Sequence, residues 1–423
     1  GRRQAVVPGL LAGEPEPGRA RCLYLHIPFC RVRCTFCSFF QYAASPAWID
    51  NYLQQLWREM EAKAATHWAQ AAPFDAVYVG GGTPTDMTAA QIAELGRRLR
   101  QLFPLRADCE NTLEGRLNGF DDDKYEAALN SGFNRFSFGV QSFDSQVRRA
   151  AKRLDEREAV LERPSQLSRG NQAPIIVDLL FGLPFQDEAC WQRDIADCRD
   201  SGAHGVDLYQ LIEMQGTPMA RLVEQGKQPP PAATPLKARL YGYGAQALEA
   251  AGLQRLSSCH WALDSRERSR YNALAKTSAD VLPLGAGAGG AINGVSVMQQ
   301  RELQAYQTAC EAGEWPLAMM MAPAPHFRRD GLLKSAFDKG LLDGRHWRQQ
   351  GQPELFDTLR PLLSIWHERG LLTLSAEQAE LTLAGRFWNV NLAQGALQAL
   401  SPAHAASMPP AHFQPKENNH VTH

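Results

Sequence analysis

Six short apolar runs, each followed by a stretch of helical periodicity, constrain this chain more than any other feature. The runs are Cys22–His26, Ala76–Val79, Asp108–Leu113, Arg135–Val140, Ile175–Leu180 and Val206–Leu211. Helical patterns fall near 47–66, 88–102, 121–131, 155–163 and 188–201 between them. Strands separated by helical crossovers pair in parallel, because a tight turn returns the chain antiparallel. The repetition predicts a full or partial (β/α) barrel more than an open sheet, and a partial (β/α)6 barrel is the expected fold. Chemistry in such a barrel sits on the loops after the strands.

The rest of the chain is read around that barrel. Residues 1–20 are rich in Gly, Pro and Arg and form an extended N-terminal segment. The barrel and the elements that follow it and cover the substrate occupy 21–325. A proline-rich connector at 226–235 precedes a helix near 236–251, and a glycine-rich segment lies at 284–290. Residues 326–395 form a small α/β C-terminal domain of helices and a pair of short strands, and 396–423 form a flexible tail. The chain has 423 residues, 44% of them hydrophobic, which is ample for a large core and excludes disorder as the main state. Its 44 Lys and Arg balance 45 Asp and Glu, so no chain-wide basic footprint points to nucleic acid. No stretch reaches the roughly 18 apolar residues of a membrane span. No signal peptide is legible, although the chain opens on Gly1.

Cys30, Cys34 and Cys37 directly follow the first strand in the spacing Cys-x3-Cys-x2-Cys. Three thiolates this close can hold three corners of a [4Fe–4S] cluster and leave the fourth iron open to a small molecule. Zinc sites more often pair Cys-x2-Cys units. Phe29, Phe36, Phe39 and Phe40 would shield a cluster from water. Cys109, Cys190, Cys198 and Cys310 read as core cysteines, and Met319–Met321 as core packing.

From Tyr24-Leu-His-Ile-Pro-Phe-Cys30 onward the chain resembles the radical S-adenosylmethionine (SAM) branch that includes oxygen-independent coproporphyrinogen dehydrogenase and the heme chaperone HemW. The resemblance continues through Gly80-Gly-Gly-Thr-Pro84, Thr112-Leu-Glu114, Arg135-Phe-Ser-Phe-Gly-Val-Gln-Ser-Phe143 and Asp178-Leu-Leu-Phe-Gly-Leu-Pro184. Within the branch it is most similar to the anaerobic heme-degrading enzymes HutW and ChuW. That similarity lies at Cys34–Phe40, Gly205–Leu211, Ser258–Trp261, Pro283–Gly290 and Gly385–Asn391. The coproporphyrinogen enzymes carry another cysteine two positions after the third ligand. Here that position is Phe39, which weakens the decarboxylase alternative.

The resemblance implies a radical-SAM C-methyltransferase that opens heme to a linear tetrapyrrole and releases iron under anaerobic conditions. It implies a cytoplasmic setting, a flavodoxin-type electron donor, and neither nucleic-acid nor membrane partners. Two SAM molecules are implied, one cleaved to a radical and one donating carbon. Matched motif by motif, Tyr24, Phe36, Gly81, Gly82, Thr83 and Glu114 fall on positions for the cluster-bound SAM. Gln141, Arg153 and Asp178 fall on positions for the second. Polar groups at strand ends, where Glu114, Gln141, Arg153 and Asp178 are expected, suit a barrel mouth. Cys259 and His260 are the catalytic candidates, His260 as iron ligand or proton donor. A heme chaperone and a porphyrinogen decarboxylase remain the alternatives.

Overall fold

The computed structural model describes residues 9–37 and 42–401. The expected positions of Phe39 and Phe40, the first eight residues of the N-terminal segment and the tail from 402 onward lie outside the described residues.

Six strands run parallel in chain order: β1 (Arg21–Ile27), β2 (Phe74–Gly81), β3 (Leu105–Gly115), β4 (Arg135–Gln141), β5 (Ile175–Phe181) and β6 (Gly205–Gln210). The crossover helices are α1 (Pro46–Ala64), α2 (Ala89–Leu102), α3 (Asp122–Ser131), α4 (Arg157–Gly170) and α5 (Glu188–Asp200), and α6 (Thr234–Ala250) follows β6. Alternation along each strand separates two layers. Outward residues such as Leu23, Leu25, Val77, Val79, Phe136 and Phe138 pack against the helices. Inward Cys22, Tyr24, Ala76 and Tyr78 form a smaller cluster with Tyr271. The outward layer reads as near-continuous apolar sequence because helices cover it.

The sheet extends past the six strands at both ends. Strand β7 (His260–Ala262) pairs antiparallel with β6, opposing His260 to Asp207. On the other side, β8 (Asp280–Leu284) pairs parallel with β1 and leads into the antiparallel strands Gly289–Ile292, Val295–Gln299 and Leu317–Met321. The glycine-rich segment thus belongs to a seventh parallel strand and its exit. Among the described residues the outermost strands of this sheet do not pair with one another, so the barrel stays open.

Two expectations are corrected. Met319 and Met321 are not core: they lie on the edge strand Leu317–Met321 and are about half exposed. Helix α4 does not stop near 163 but runs through Pro164 to Gly170. A proline inside a helix forfeits one backbone bond, and here Pro164 is itself buried against the barrel.

The C-terminal part has its own core around Leu333, Phe337, Trp347, Phe356 and Leu363, with a three-stranded antiparallel sheet. Its first helix, α7 (Phe327–Lys339), also grips the barrel. Asp338 O accepts from Ser258 N at 2.7 Å, the Asp338 carboxylate from Lys276 Nζ at 2.8 Å, and Lys339 O from Arg255 at 2.7 Å. Arg386 pairs with Glu249 at 3.0 Å.

Candidate active site in the barrel

The cysteine loop leaves β1 and is pinned from several sides. Phe29–Cys30 pairs with Tyr42–Ala43, Thr35 N donates to Ala151 O, and Met219 N donates to Thr35 O. Phe36 packs on the cluster of Val147, Leu183 and Met219. Cys30 and Cys34 are buried and Cys37 is half-buried. Thr83 Oγ1 donates to Cys30 Sγ at 3.3 Å, and Arg116 donates to Cys34 Sγ at 3.1 Å. Burial pushes the Cys30 thiol up, against the hydrogen bond from Thr83 and the Arg116 charge.

The loop fits a [4Fe–4S] cluster. Among the described residues no three of His, Cys, Asp or Glu converge on a single metal ion. Thiolates on separate irons need no such convergence. The strand edge facing the loop is stripped of side chains: a Cβ on Gly82 would lie 2.9 Å from Cys30 Sγ, and one on Gly80 2.5 Å from Glu114 Oε2. Gly81 holds φ at +119°, open to glycine at little cost. Without side chains at these three positions a ligand can come close to the strand edge, whose own N–H groups are partly spoken for, Gly82 N by Ile27 O and Thr83 N by Phe29 O, each at 2.8 Å. Two guanidiniums face the same side. Arg116 touches Cys34, and the buried Arg153 also bonds Cys34, donates to Gly139 O at 2.9 Å and leaves its Nε unpartnered. Cations beside thiolates suit an anionic cluster.

Gln141 ends β4 with φ at +71°, a strained conformation for a non-glycine residue. Its amide turns back over Gly139, where a Cβ would meet Gln141 Nε2 at 2.9 Å and Arg153 at 3.5 Å. Strain of this kind collects at ligand clamps. Arg153 is not just beyond a strand as expected; it follows the short helix Ser145–Ala150 and returns to β4.

Asp178 also departs from expectation. It is in the middle of β5, not at the barrel mouth, and points into the barrel beside Asp207 of β6. Ser137 Oγ donates to both Asp178 oxygens at 3.2 and 3.3 Å, and the two aspartates hydrogen-bond each other. Two ionised carboxylates cannot sit so close in a buried place, so one keeps a proton. Burial and the Asp207 charge hold Asp178 well above the usual range. Against burial, His260 holds Asp207 below it.

Behind Asp207 stands a row of alternating charge. His260 Nδ1 lies 2.7 Å from Asp207 Oδ1. Its Nε2 is 3.2 Å from Glu267 Oε2, close as an ion pair but not aligned as a hydrogen bond. Glu267 accepts from Arg135 Nε at 3.0 and 3.3 Å and from its Nη2 at 3.0 Å, and from Ser269 N at 2.7 Å. Although burial opposes it, the two carboxylates raise His260 to about 9, so it is an imidazolium near neutrality. Glu267 is held far below the carboxylate range. Cys259 stands apart, 3.6 Å from Ser257 Oγ, with its thiol pushed up to about 11 by burial.

Glu114, near the end of β3, hydrogen-bonds Tyr78 and is raised to about 7 by burial. Tyr24, Tyr78 and Tyr271 stack beneath it, Tyr78 and Tyr271 with centroids 4.9 Å apart. The segment after β7 forms the floor: Arg270 N and Tyr271 N donate to Glu110 at 2.9 and 3.2 Å. Tyr209, two residues past Asp207, is 40% exposed.

Arg116, Asp207, Tyr209, Glu267 and Tyr271 were not singled out from sequence. Asp207 was the most legible of them: Ile-Ile-Val-Asp-Leu-Leu and Gly-Val-Asp-Leu-Tyr each carry a lone acid inside a strand run. Glu267, in a loop of mixed charge, carried no such signal.

The radical SAM superfamily matches residues 24–198. An anaerobilin synthase from Escherichia coli O157:H7 is 40% identical over 377 residues, 89% of this chain and 83% of that protein. The heme chaperone HemW of Synechocystis sp. is 27% identical over 67% of this chain and 69% of its own. The structure of coproporphyrinogen III oxidase (HemN) from Escherichia coli superposes with a TM-score of 0.77 over 93% of both chains at 23% identity, which shows a shared fold. The chain is a radical SAM enzyme, working with a [4Fe–4S] cluster and SAM, and it belongs to the anaerobilin synthase family.

Proposed function

We propose that this enzyme opens heme to the linear tetrapyrrole anaerobilin by radical methyl transfer. The observation that carries the reading is 40% identity to an anaerobilin synthase spread over 89% of the chain, barrel and C-terminal domain together. The likeness to a heme chaperone is weaker and shorter.

Cys30, Cys34 and Cys37 hold the cluster, which with SAM supplies a 5′-deoxyadenosyl radical when both are bound. Gly81, Gly82 and Thr83 let that SAM approach the backbone of the strand edge closely, with Glu114 on the neighbouring strand β3 and Tyr24 on β1. Phe36 braces the loop. Arg153 and the strained Gln141 clamp a second SAM, the methyl donor, with Asp178 facing it from β5. Arg116 offsets the thiolate charge at Cys34. Tyr209 presents an aromatic face at the barrel mouth, suited to a flat macrocycle. His260 cannot serve as an iron ligand while both ring nitrogens face carboxylates, and, sealed at 3% exposure, it does not reach heme as a proton donor; it holds Asp207 and Glu267 in place. A flavodoxin-type protein supplies the low-potential electrons, and the reaction runs in the cytoplasm.

The test is an anaerobic incubation of reconstituted enzyme with heme, reductant and SAM labelled in its methyl group. Loss of the heme band with 5′-deoxyadenosine and label in the tetrapyrrole is expected. Asp178→Ala should weaken label transfer more than 5′-deoxyadenosine formation. Stable heme binding without turnover would favour a chaperone and overturn the proposal.

A further inference from the structure

The barrel interior has more acid than base. Four carboxylates meet there, Glu114, Asp178, Asp207 and Glu267, opposed among the described residues by Arg135 and His260 and, from farther off, by Lys276, whose ammonium is bonded to Asp338. Glu110 is also near Arg135, but its oxygens are taken by the backbone of Arg270 and Tyr271. Tyr78, Ser137, Tyr209 and the buried thiol of Cys198, pushed up by burial, also surround Asp178 and carry no charge.

The groups differ in what they face. Arg135, Asp207, His260 and Glu267 are all sealed, at no more than 3% exposure. Asp178 keeps part of its surface on the lumen. The row therefore runs from a closed interior, Arg135 to Glu267 to His260 to Asp207, and ends at one lumen-facing carboxyl. Its members alternate in sign, so each holds the next. The last link differs, since Asp178 and Asp207 are both acids and are joined by a single proton. A carboxyl pair of this kind can trade its proton for a cation from outside, because a positive charge beside it favours ionisation of both oxygens.

We infer that Asp207, His260 and Glu267 are positioning residues that ready Asp178 for a cationic ligand, and that the proton between Asp178 and Asp207 leaves to solvent when the sulfonium of the methyl-donor SAM binds. The inference rests on the second SAM site proposed above. Proton and charge balance: one cation enters, one proton departs, and the row behind keeps its own charges. Binding is then weaker at low pH, where protons compete, and strengthens as pH rises.

The experiment is anaerobic calorimetry of SAM binding to the cluster-loaded enzyme, without reductant so that no SAM is cleaved, in buffers of different ionisation enthalpy. Two SAM equivalents per chain are expected, with a buffer-dependent heat. Asp207→Asn should bind SAM at neutral pH but release about one proton fewer, since the like charge is gone. Any release at Glu114 is common to both proteins and cancels in the difference. Should Asp207→Asn fold poorly by its melting curve, Glu114→Gln takes its place, and a buffer-dependent release that survives the loss of Glu114 carries the inference whereas its disappearance overturns it. Two bound equivalents with heat independent of buffer would overturn this inference and leave the second site standing. A single bound equivalent would overturn both.

Discussion

Single residues separate what this chain needs for chemistry from what it needs for folding. Cys34→Ala should lose the visible absorption of the cluster and drop SAM cleavage to background, and the same holds for Cys30→Ala and Cys37→Ala. Cys190 is buried on α5 at 3% exposure, and Cys190→Ala should keep its iron and most of its activity. Glu114 gives a signature that does not depend on turnover. Burial holds it near 7, whereas an unfolded chain gives up that proton near 4.5. Between those values the folded chain binds more protons than the unfolded one, so this group costs stability as pH rises through the window. Glu114→Gln should therefore match wild type in melting temperature at about pH 4 and melt progressively higher than wild type toward pH 8. A constant difference across that range would refute the raised acid. The cysteines were legible because their spacing is chemistry in itself. Asp178 was legible as a residue but not as a place: a strand run does not show which interior neighbour will share its proton.

Elements were read best where periodicity and crossover length agreed. All six parallel strands and the helices between them lie within a few residues of expectation, apart from the extension of α4 past Pro164. The seventh strand, β8, was missed because Asp280–Leu284 is short and leads into glycines, which read as a loop. What fastens it is a network no local pattern displays. Lys63 donates to Pro283 O at 2.7 Å and to Gln299, while Glu59 accepts from Gly285 N and Tyr306 at 2.7 Å each. The floor is likewise a long-range construction. Arg135 on β4 meets Glu267 132 residues later, with side-chain exposures of 2% and 0%. Glu267→Gln leaves the buried guanidinium without its counter-charge, and should cost about 3 kcal/mol in a urea titration. Replacing exposed Arg97 of the Arg97–Glu94 pair by Ala should cost far less, because solvent screens such pairs.

At the scale of the whole molecule, a C-terminal unit with its own hydrophobic cluster follows the barrel. Its attachment was not legible, since it runs through single backbone atoms. Asp338 and Lys339, at the end of α7, receive Ser258, Lys276 and Arg255, and Ser258 is two residues before His260. The helix that opens the appendage thus props the strand that carries the imidazolium. A fragment ending at residue 325 would keep every cysteine of the cluster loop and every strand of the barrel, yet leave Lys276 unpaired and the approach to His260 loose. It should bind iron, melt below the full chain and lose the proton linkage of SAM binding. In engineering terms the boundary is a hinge pin, not a perforation, and swapping this domain among relatives would retune the acid row without touching one of its residues.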